Sequence, residues 1–300
     1  MVRLLLLLFI SLLNACNNDS GQSSQQQPAF GDKPMESVVE YSFGIHPLHN
    51  PKQLLDVYGP LVDYLNQNLT GVVLKLEASR NYAAFEEKLY ARQFAFALPN
   101  PYQTIESEGK GYRIFGKMGD DENFRGIILV RKDSGIQAVA DLKGQKISYP
   151  APTAVAATML PQYYLHTHGL DANKDVESVY AGSQESSIMN VYLKTTGAGA
   201  TWPLPWKNFQ KDQPDKAKEL EVKWETTHLP NNALVVRDDI APEIVNKVTE
   251  LLFTLHTHAA GQEILARIPV SKFEAAQHET YEPTRSFLKT FVATVRPITP

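Results

Sequence analysis

Tyr149-Pro150-Ala151-Pro152-Thr153-Ala154-Val155-Ala156-Ala157-Thr158 is the stretch on which the reading of the fold turns. It follows a short apolar run, residues 146–149, and leads into helical spacing through Leu160, Tyr164 and Leu165, up to His168. A strand that breaks on prolines and reopens as a Thr/Ala-rich helix leaves backbone N–H groups unpaired, aimed at whatever lies in front of them. The expectation is a helix start that forms one wall of a ligand cleft.

Outward from this junction, strands and helices alternate in both directions. Upstream, residues 38–44 are β-prone, and Leu54, Leu55, Val57, Tyr58, Leu61, Leu65 and Leu69 then recur at helical spacing, interrupted by Pro60. Residues 72–76 alternate like a strand, 82–92 form a short helix with Phe85, Leu89 and Tyr90 on its apolar side, and 94–98 read as a buried strand. Two more strands, 112–117 and 126–131, flank a polar turn. Downstream come strands at 176–180, 197–201, 222–225 and 233–236, a helix from Gln184, and a long helix after Pro242 with Ile244, Val245, Val248, Leu251, Leu252 and Leu255 as its stripe. Such alternation predicts an α/β protein with largely parallel sheets, and its two rounds suit two lobes of similar build.

The N-terminus sets the compartment. Arg3 precedes an almost wholly apolar run, residues 4–13, too short to span a bilayer as a helix but of the length of a signal-peptide core. Leu13-Asn14-Ala15-Cys16 resembles the bacterial lipobox, which implies cleavage before Cys16 and lipidation of that residue. Cys16 is the single cysteine, so the chain holds no disulfide framework and no thiolate metal site. Residues 17–27 are polar and of low complexity, a flexible tether. Lys and Arg number 29 against 33 Asp and Glu, and removal of residues 1–15 would take away Arg3. That mild acidity, with no basic stripe, argues against nucleic acid as a partner.

A set of short motifs then becomes recognisable by its order. Phe43-Gly44 and His46-Pro47 lead, followed by Pro60-Leu61-Val62-Asp63-Tyr64-Leu65, Asn81-Tyr82-Ala83-Ala84 and Pro101-Tyr102. Asp133-Ser134-Gly135-Ile136, Asp141-Leu142-Lys143-Gly144 and Gly182-Ser183-Gln184 complete it. Together they resemble the substrate-binding proteins of phosphate/phosphite/phosphonate ABC importers, over residues 38–288. The resemblance implies a two-lobed periplasmic-binding-protein fold (type II-like), each lobe a mostly parallel sheet flanked by helices. It also implies a lipid-anchored, exported, monomeric protein on the periplasmic side of a bacterial membrane. Its partners would be a small-molecule ligand (a phosphonate- or phosphate-like oxyanion or a related organic compound) and an ABC permease. No cofactor, metal or catalytic residue is implied. A sensory lipoprotein of the same fold, reporting ligand occupancy to a regulator, is the alternative. The division that follows is 1–15 signal peptide, 16–36 lipidated Cys and tether, 37–124 first lobe, 125–224 second lobe, and 225–300 first-lobe return with C-terminal helices.

For the site, the resemblance places Tyr82 and Tyr102 on the first lobe's wall with Asn100 beside them. It places Thr153 and Ala154 at the anion-gripping helix start of the second lobe, where the residues themselves add Gln184, Glu185, Thr201 and Trp202 as candidates. The chain departs from the family pattern here. Relatives carry a hydroxyl-rich helix start, whereas Pro152-Thr153-Ala154 keeps one hydroxyl and loses one N–H to proline. Relatives also often read His-Asp where this chain has Gln184-Glu185, and no carboxylate occurs between Glu185 and Asp212. Small residues 197–200 followed by Trp202 and Trp206 suggest aromatic rings brought close to the cleft, and Tyr82, Tyr102, Tyr149, Trp202 and Trp206 would then form a wall suited to a cationic, zwitterionic or flat organic ligand. His46 and His49 lie in the loop facing it. His166/His168 and His256/His258 are two apart in helical stretches and do not face a common metal. No Gly-x-Ser-x-Gly elbow, phosphate loop or His-Glu-x-x-His occurs.

Overall fold

The computed structural model describes residues 38–299. The signal-peptide, lipidation and tether assignments, including Cys16, lie outside the described residues.

The first lobe begins with three strand–helix units. β1 (Val39–Ile45) leads to α1 (Pro51–Asn68), β2 (Val72–Ala78) to α2 (Tyr82–Tyr90), and β3 (Phe96–Leu98) to α3 (Pro101–Glu108), after which β4 (Tyr112–Met118) follows. The chain then enters the second lobe with β5 (Arg125–Arg131) and β6 (Lys146–Tyr149). A π-helical turn, Val155–Met159, runs into α4 (Leu160–Thr167), then β7 (Glu177–Tyr180), α5 (Gln184–Tyr192), β8 (Ala198–Thr201), α6 (Pro203–Asp212), α7 (Pro214–Ala217) and β9 (Leu220–His228). It returns through β10 (Ala233–Arg237), α8 (Pro242–Thr254), α9 (Ala259–Arg267), β11 (Phe273–Glu274) and α10 (Glu282–Thr294).

Each lobe is built on one sheet, of order β11-β4-β10-β3-β1-β2 in the first and β7-β6-β8-β5-β9 in the second. Most strands of each sheet point one way, as expected, but neither ladder is purely parallel. β10 inserts antiparallel between β3 and β4, and β5 inserts antiparallel between β8 and β9. Both inserted strands are the first to be reached after the chain crosses between lobes. A crossing strand arrives from the opposite direction and completes the sheet head to tail.

Sequence chemistry explains the helix starts. Asn50, Asn81 and Asn100 follow β1, β2 and β3, and each side-chain oxygen accepts a backbone N–H of the helix it opens. Pro51 and Pro101 occupy first helical positions, where no N–H is needed. Pro60 does not interrupt α1: Leu54, Tyr58, Leu61, Val62 and Leu65 bury one continuous stripe across it, and that burial outweighs the lost hydrogen bond.

The opening stretch differs from a simple strand–helix junction. Residues 151–154 form a turn, helical structure begins only at Val155, and regular α-helix begins at Leu160. Pro161 has no N–H for the carbonyl four residues earlier, and the chain widens locally into a π turn, with Leu160 N–H reaching the carbonyl of Val155. The carbonyl of Ala156 lies against Gly126, where any Cβ would stand 2.5 Å from that oxygen.

Candidate functional site

The carboxyl ends of β1, β2 and β3 face those of β6, β7 and β8, which is where α/β sheets present ligand sites. The three capping asparagines therefore line the first lobe's edge, and two of them serve both lobes. Asn50 caps α1 with its oxygen while its amide N–H donates to Glu185 Oε2 at 2.7 Å. Asn100 caps α3 in the same way and donates to the carbonyl of Thr153 at 3.2 Å. Aspartate would make an equal cap but has no donor for the second bond.

Further inside, α5 reaches the first lobe. Gly182, at φ +83°, makes the turn before it, and the Ser183 side chain caps it by accepting from Ser186 N–H. Gln184, 1% exposed, then donates to Tyr82 Oη at 3.1 Å and accepts from Thr201 Oγ1 at 2.8 Å. Tyr82 belongs to α2 and Thr201 to β8, so one amide ties three elements across the cleft. Burial pushes the Tyr82 phenol well above its usual range, leaving it neutral at any physiological pH.

Beside this bridge lies a cavity of about 150 Å³, lined among others by Asn81, Tyr82, Glu86, Pro152, Thr153 and Tyr180. Glu86 is the residue that sequence reasoning missed. It is 3% exposed. Its Oε1 accepts from Thr153 Oγ1 at 2.5 Å and from Gln103 Nε2 at 2.9 Å, while its buried Oε2 has no hydrogen-bond partner in the protein. Desolvation raises its pKa, the Thr153 and Gln103 hydrogen bonds work against that shift, and Glu106 adds to it. The signal was present in the spacing: Tyr82, Phe85, Glu86 and Leu89 share the buried face of α2.

The remaining expected residues fall as follows. Thr153 is buried with its hydroxyl given to Glu86, and the Ala154 N–H is closed onto the carbonyl of Ala151 at 3.2 Å. The helix start thus abuts the cleft but turns neither of these donors into it. Tyr102 is half-buried, and the nearby carboxylates of Glu106 and Glu86 add to the burial that raises its pKa. Glu185 faces an outer groove of about 480 Å³ shared with Gln53, Asp56, Phe209, Asp212 and Lys216, where Gln53 Nε2 also donates to Asp212 across the lobes at 3.1 Å.

Trp202 does not line the inner cavity. It is packed edge-on against Phe124, ring centroids 5.4 Å apart, in the core beside the interlobe crossing. Trp206 stacks on Phe209 and Tyr149 is sealed in the second lobe's core. The small residues of β8 admit α5 instead of aromatic rings: a Cβ on Gly199 would lie 2.5 Å from Val191, and Ser187 Oγ donates to the carbonyls of Ser148 and Ala200.

His46 and His49 sit under the cleft floor, both buried. His46 Nδ1 meets the Leu98 carbonyl at 2.9 Å and its ring abuts Tyr82 and Phe85. Burial lowers its pKa to about 4, and burial together with His46 lowers that of His49 to about 3. Asn208 of the second lobe approaches His49 Nε2 at 3.4 Å. His258 caps α9 and contacts Tyr64, and His168 stacks on Tyr164, so each has a local packing role. Among the described residues no cluster of three metal-ligating side chains occurs, and no helix is long and apolar enough to cross a membrane.

Comparison with known proteins agrees with this architecture. The fold matches the crystal structure of a binding protein component of an ABC phosphonate transporter from Pseudomonas aeruginosa, with TM-score 0.79 and 21% identity over 85% of this chain and 87% of that one. It also matches PhnD1 from Prochlorococcus marinus (MIT 9301) in complex with methylphosphonate, with TM-score 0.77 and 16% identity over 84% and 97% of the two chains. In sequence, PhnD1, described as a probable ABC transporter phosphite binding protein, is 23% identical over 128 residues, 40% of this chain and 43% of that protein. The phosphonates-binding periplasmic protein of Escherichia coli is 20% identical over 258 residues, 83% and 76% of the two. Residues 43–281 match the family described as ABC transporter, phosphonate, periplasmic substrate-binding protein, whose members bind solutes and are not enzymes. With that match covering most of its length, the chain belongs to the periplasmic substrate-binding proteins of phosphonate-type ABC transporters.

Proposed function

We propose that this chain captures a small solute between its lobes and delivers it to the membrane permease of an ABC importer, while anchored to the membrane through lipidated Cys16. The observation that carries the reading is the cavity of about 150 Å³ between Tyr82 and Glu86 of one lobe and Pro152, Thr153 and Tyr180 of the other. Side chains from both lobes complete it, so a bound solute would contact both at once and favour the closed arrangement over the open one. Only such differential affinity converts occupancy into a shape that a permease can sense. An engineered cavity of about this size holds benzene, so the solute is a compact molecule, an organophosphorus oxyanion or a related organic compound. The two crossings between lobes, 119–124 and 229–232, serve as the hinge.

The test is a thermal-shift titration of the protein with phosphonates, inorganic phosphate, sulfonates and small amines. At least one class is expected to raise the melting temperature saturably, by the amount its dissociation constant dictates. A flat response to every class at millimolar concentration counts against solute binding. For the anchor, Cys16→Ser is expected to move the protein from the membrane fraction to the soluble one; an unchanged distribution would remove that part of the proposal.

A further inference from the structure

We infer that Arg296, carried by the tail after α10, is a positioning and specificity residue for the interlobe cavity: it orients the Pro152–Thr153 peptide and supplies the positive charge that favours dianionic solutes. The inference rests on the reading of that cavity as the solute site and names the group that sets its preference for charge.

Three observations carry it. First, the tail is fastened to the second lobe. The Val295 carbonyl accepts from Asn173 Nδ2 at 2.6 Å, while Arg296 donates from Nε to Gln162 Oε1 at 2.9 Å and from Nη2 to the Pro152 carbonyl at 2.8 Å. The guanidinium lies 5.2 Å from the ring centroid of Phe291 and 6.0 Å from that of Tyr180, and Tyr180 lines the cavity.

Second, the bond to Pro152 fixes a donor. Every described peptide bond is trans, so the carbonyl of Pro152 and the N–H of Thr153 point in opposite directions. A guanidinium that draws this carbonyl to itself turns the Thr153 N–H to the other side of the turn. That N–H has no acceptor among the described residues, and neither have those of Val155, Ala156 and Ala157 where the π turn opens. All four residues are buried. Buried N–H groups without partners are costly, and an oxyanion satisfies several at once.

Third, Arg296 is a half-buried cation with no carboxylate within ion-pair distance among the described residues. Burial holds its pKa below the usual arginine value, and the groups opposing that shift are the phenols of Tyr180 and Tyr149. Three of its N–H groups are given to Gln162, Pro297 and Pro152, and the others have no partner among the described residues. Glu86, the carboxyl on the first lobe's wall, accepts instead from Thr153 Oγ1 and Gln103 Nε2. An anion in the cavity supplies the missing counter-charge, and the attraction grows with the charge it carries.

The experiment is isothermal titration of the protein, Arg296→Gln and Arg296→Lys with methylphosphonate, inorganic phosphate and methanesulfonate, beside melting temperatures taken without anion. Mildly alkaline pH makes the first two chiefly dianions and leaves the third a monoanion. The expected result is methylphosphonate or phosphate binding weakened about tenfold or more in Arg296→Gln, with methanesulfonate binding weakened less. Arg296→Lys falls in between, because it keeps the charge and loses the planar fork. Arg296→Met, which keeps an apolar stem against Phe291 and Tyr180, reads the same comparison should Arg296→Gln not fold. A purely structural tail would instead lower the melting temperature and weaken every anion in the same proportion, with lysine no better than glutamine. That result, or unchanged affinity in Arg296→Gln, overturns the inference and leaves the solute-binding reading standing. Should a single anion bind, the order of lysine and glutamine decides alone. Saturable binding of no anion by the unaltered protein overturns both.

Discussion

Among the hydrogen bonds that join the lobes, those at the cleft form two seams that differ chiefly in their access to water. The inner seam runs through Tyr82, Gln184 and Thr201 and through Glu86, Thr153 and Asn100, all buried. The outer seam pairs Asn50 with Glu185 and Gln53 with Asp212 along an open groove. Both use side-chain amides: Asn50, Gln53 and Asn100 reach from the first lobe toward the second, and Gln184 reaches back from the second to Tyr82. Yet a buried polar group left unpaired costs about 1–3 kcal/mol, and more if charged, while an exposed polar pair contributes about 0–1 kcal/mol. The inner seam therefore fixes the geometry of closure, and the outer seam adds little more than register at the mouth.

Acid should separate them most strongly. His46 and His49, beneath the inner seam, have pKa values lowered to about 4 and about 3 from 6.5. Above pH 6.5 both are neutral folded or unfolded and stability is unaffected. Below it the unfolded chain takes up protons that the folded one refuses, so stability falls until the folded values are reached. Each histidine costs about 1.4 kcal/mol per pH unit in that window, several kcal/mol in total. Chemical denaturation at pH 7 and pH 5 measures it, and replacing both histidines by glutamine should flatten the slope. Equal stability at the two pH values would mean that the cleft floor is wet.

Next in size is Gln184→Ala, which leaves Tyr82 Oη and Thr201 Oγ1 without their shared partner. The expected loss is about 1–3 kcal/mol of folded stability, with solute binding weakened tenfold or more. A smaller pair of effects sharpens the comparison further. Asn100→Asp and Asn50→Asp each keep the helix cap and each lose the interlobe donor. The first puts a charge in a buried site and should destabilise markedly. The second sets a carboxylate against Glu185 in partly exposed surroundings and should cost about 1 kcal/mol or less, shrinking further in high salt. Glu185→Ala, at the small end, should shift the melting temperature by no more than a degree or two.

Much of this was legible before any coordinates. The alternation of strands and helices carried the fold class, and the ordered motifs from Phe43-Gly44 to Gly182-Ser183-Gln184 carried the family, because both depend on local patterns repeated over hundreds of residues. Tyr82 and Gln184 were drawn from the same motifs, and the structure brings them together on one hydrogen bond. Trp202 was not legible. A tryptophan after a strand of small residues reads equally as a cleft ring or a core ring, and only the packing of α5 onto Gly199 shows which element fills that space. Glu86 was legible and passed over: a carboxylate on the buried face of α2 breaks the amphipathic pattern, and such breaks concentrate at functional sites. The antiparallel insertion of β5 and β10 carries no local signature, since strand direction is set by the chain's crossings and not by residue type.

The most direct test of the central claim, that the inner cavity is where solute is held, is mass spectrometry of the small molecule released on denaturing the purified protein beside Gln184→Ala prepared identically. A compact solute retained by the unaltered protein and lost from Gln184→Ala is the predicted result. Equal retention by both proteins, or a released molecule too large for a cavity of about 150 Å³, would contradict it.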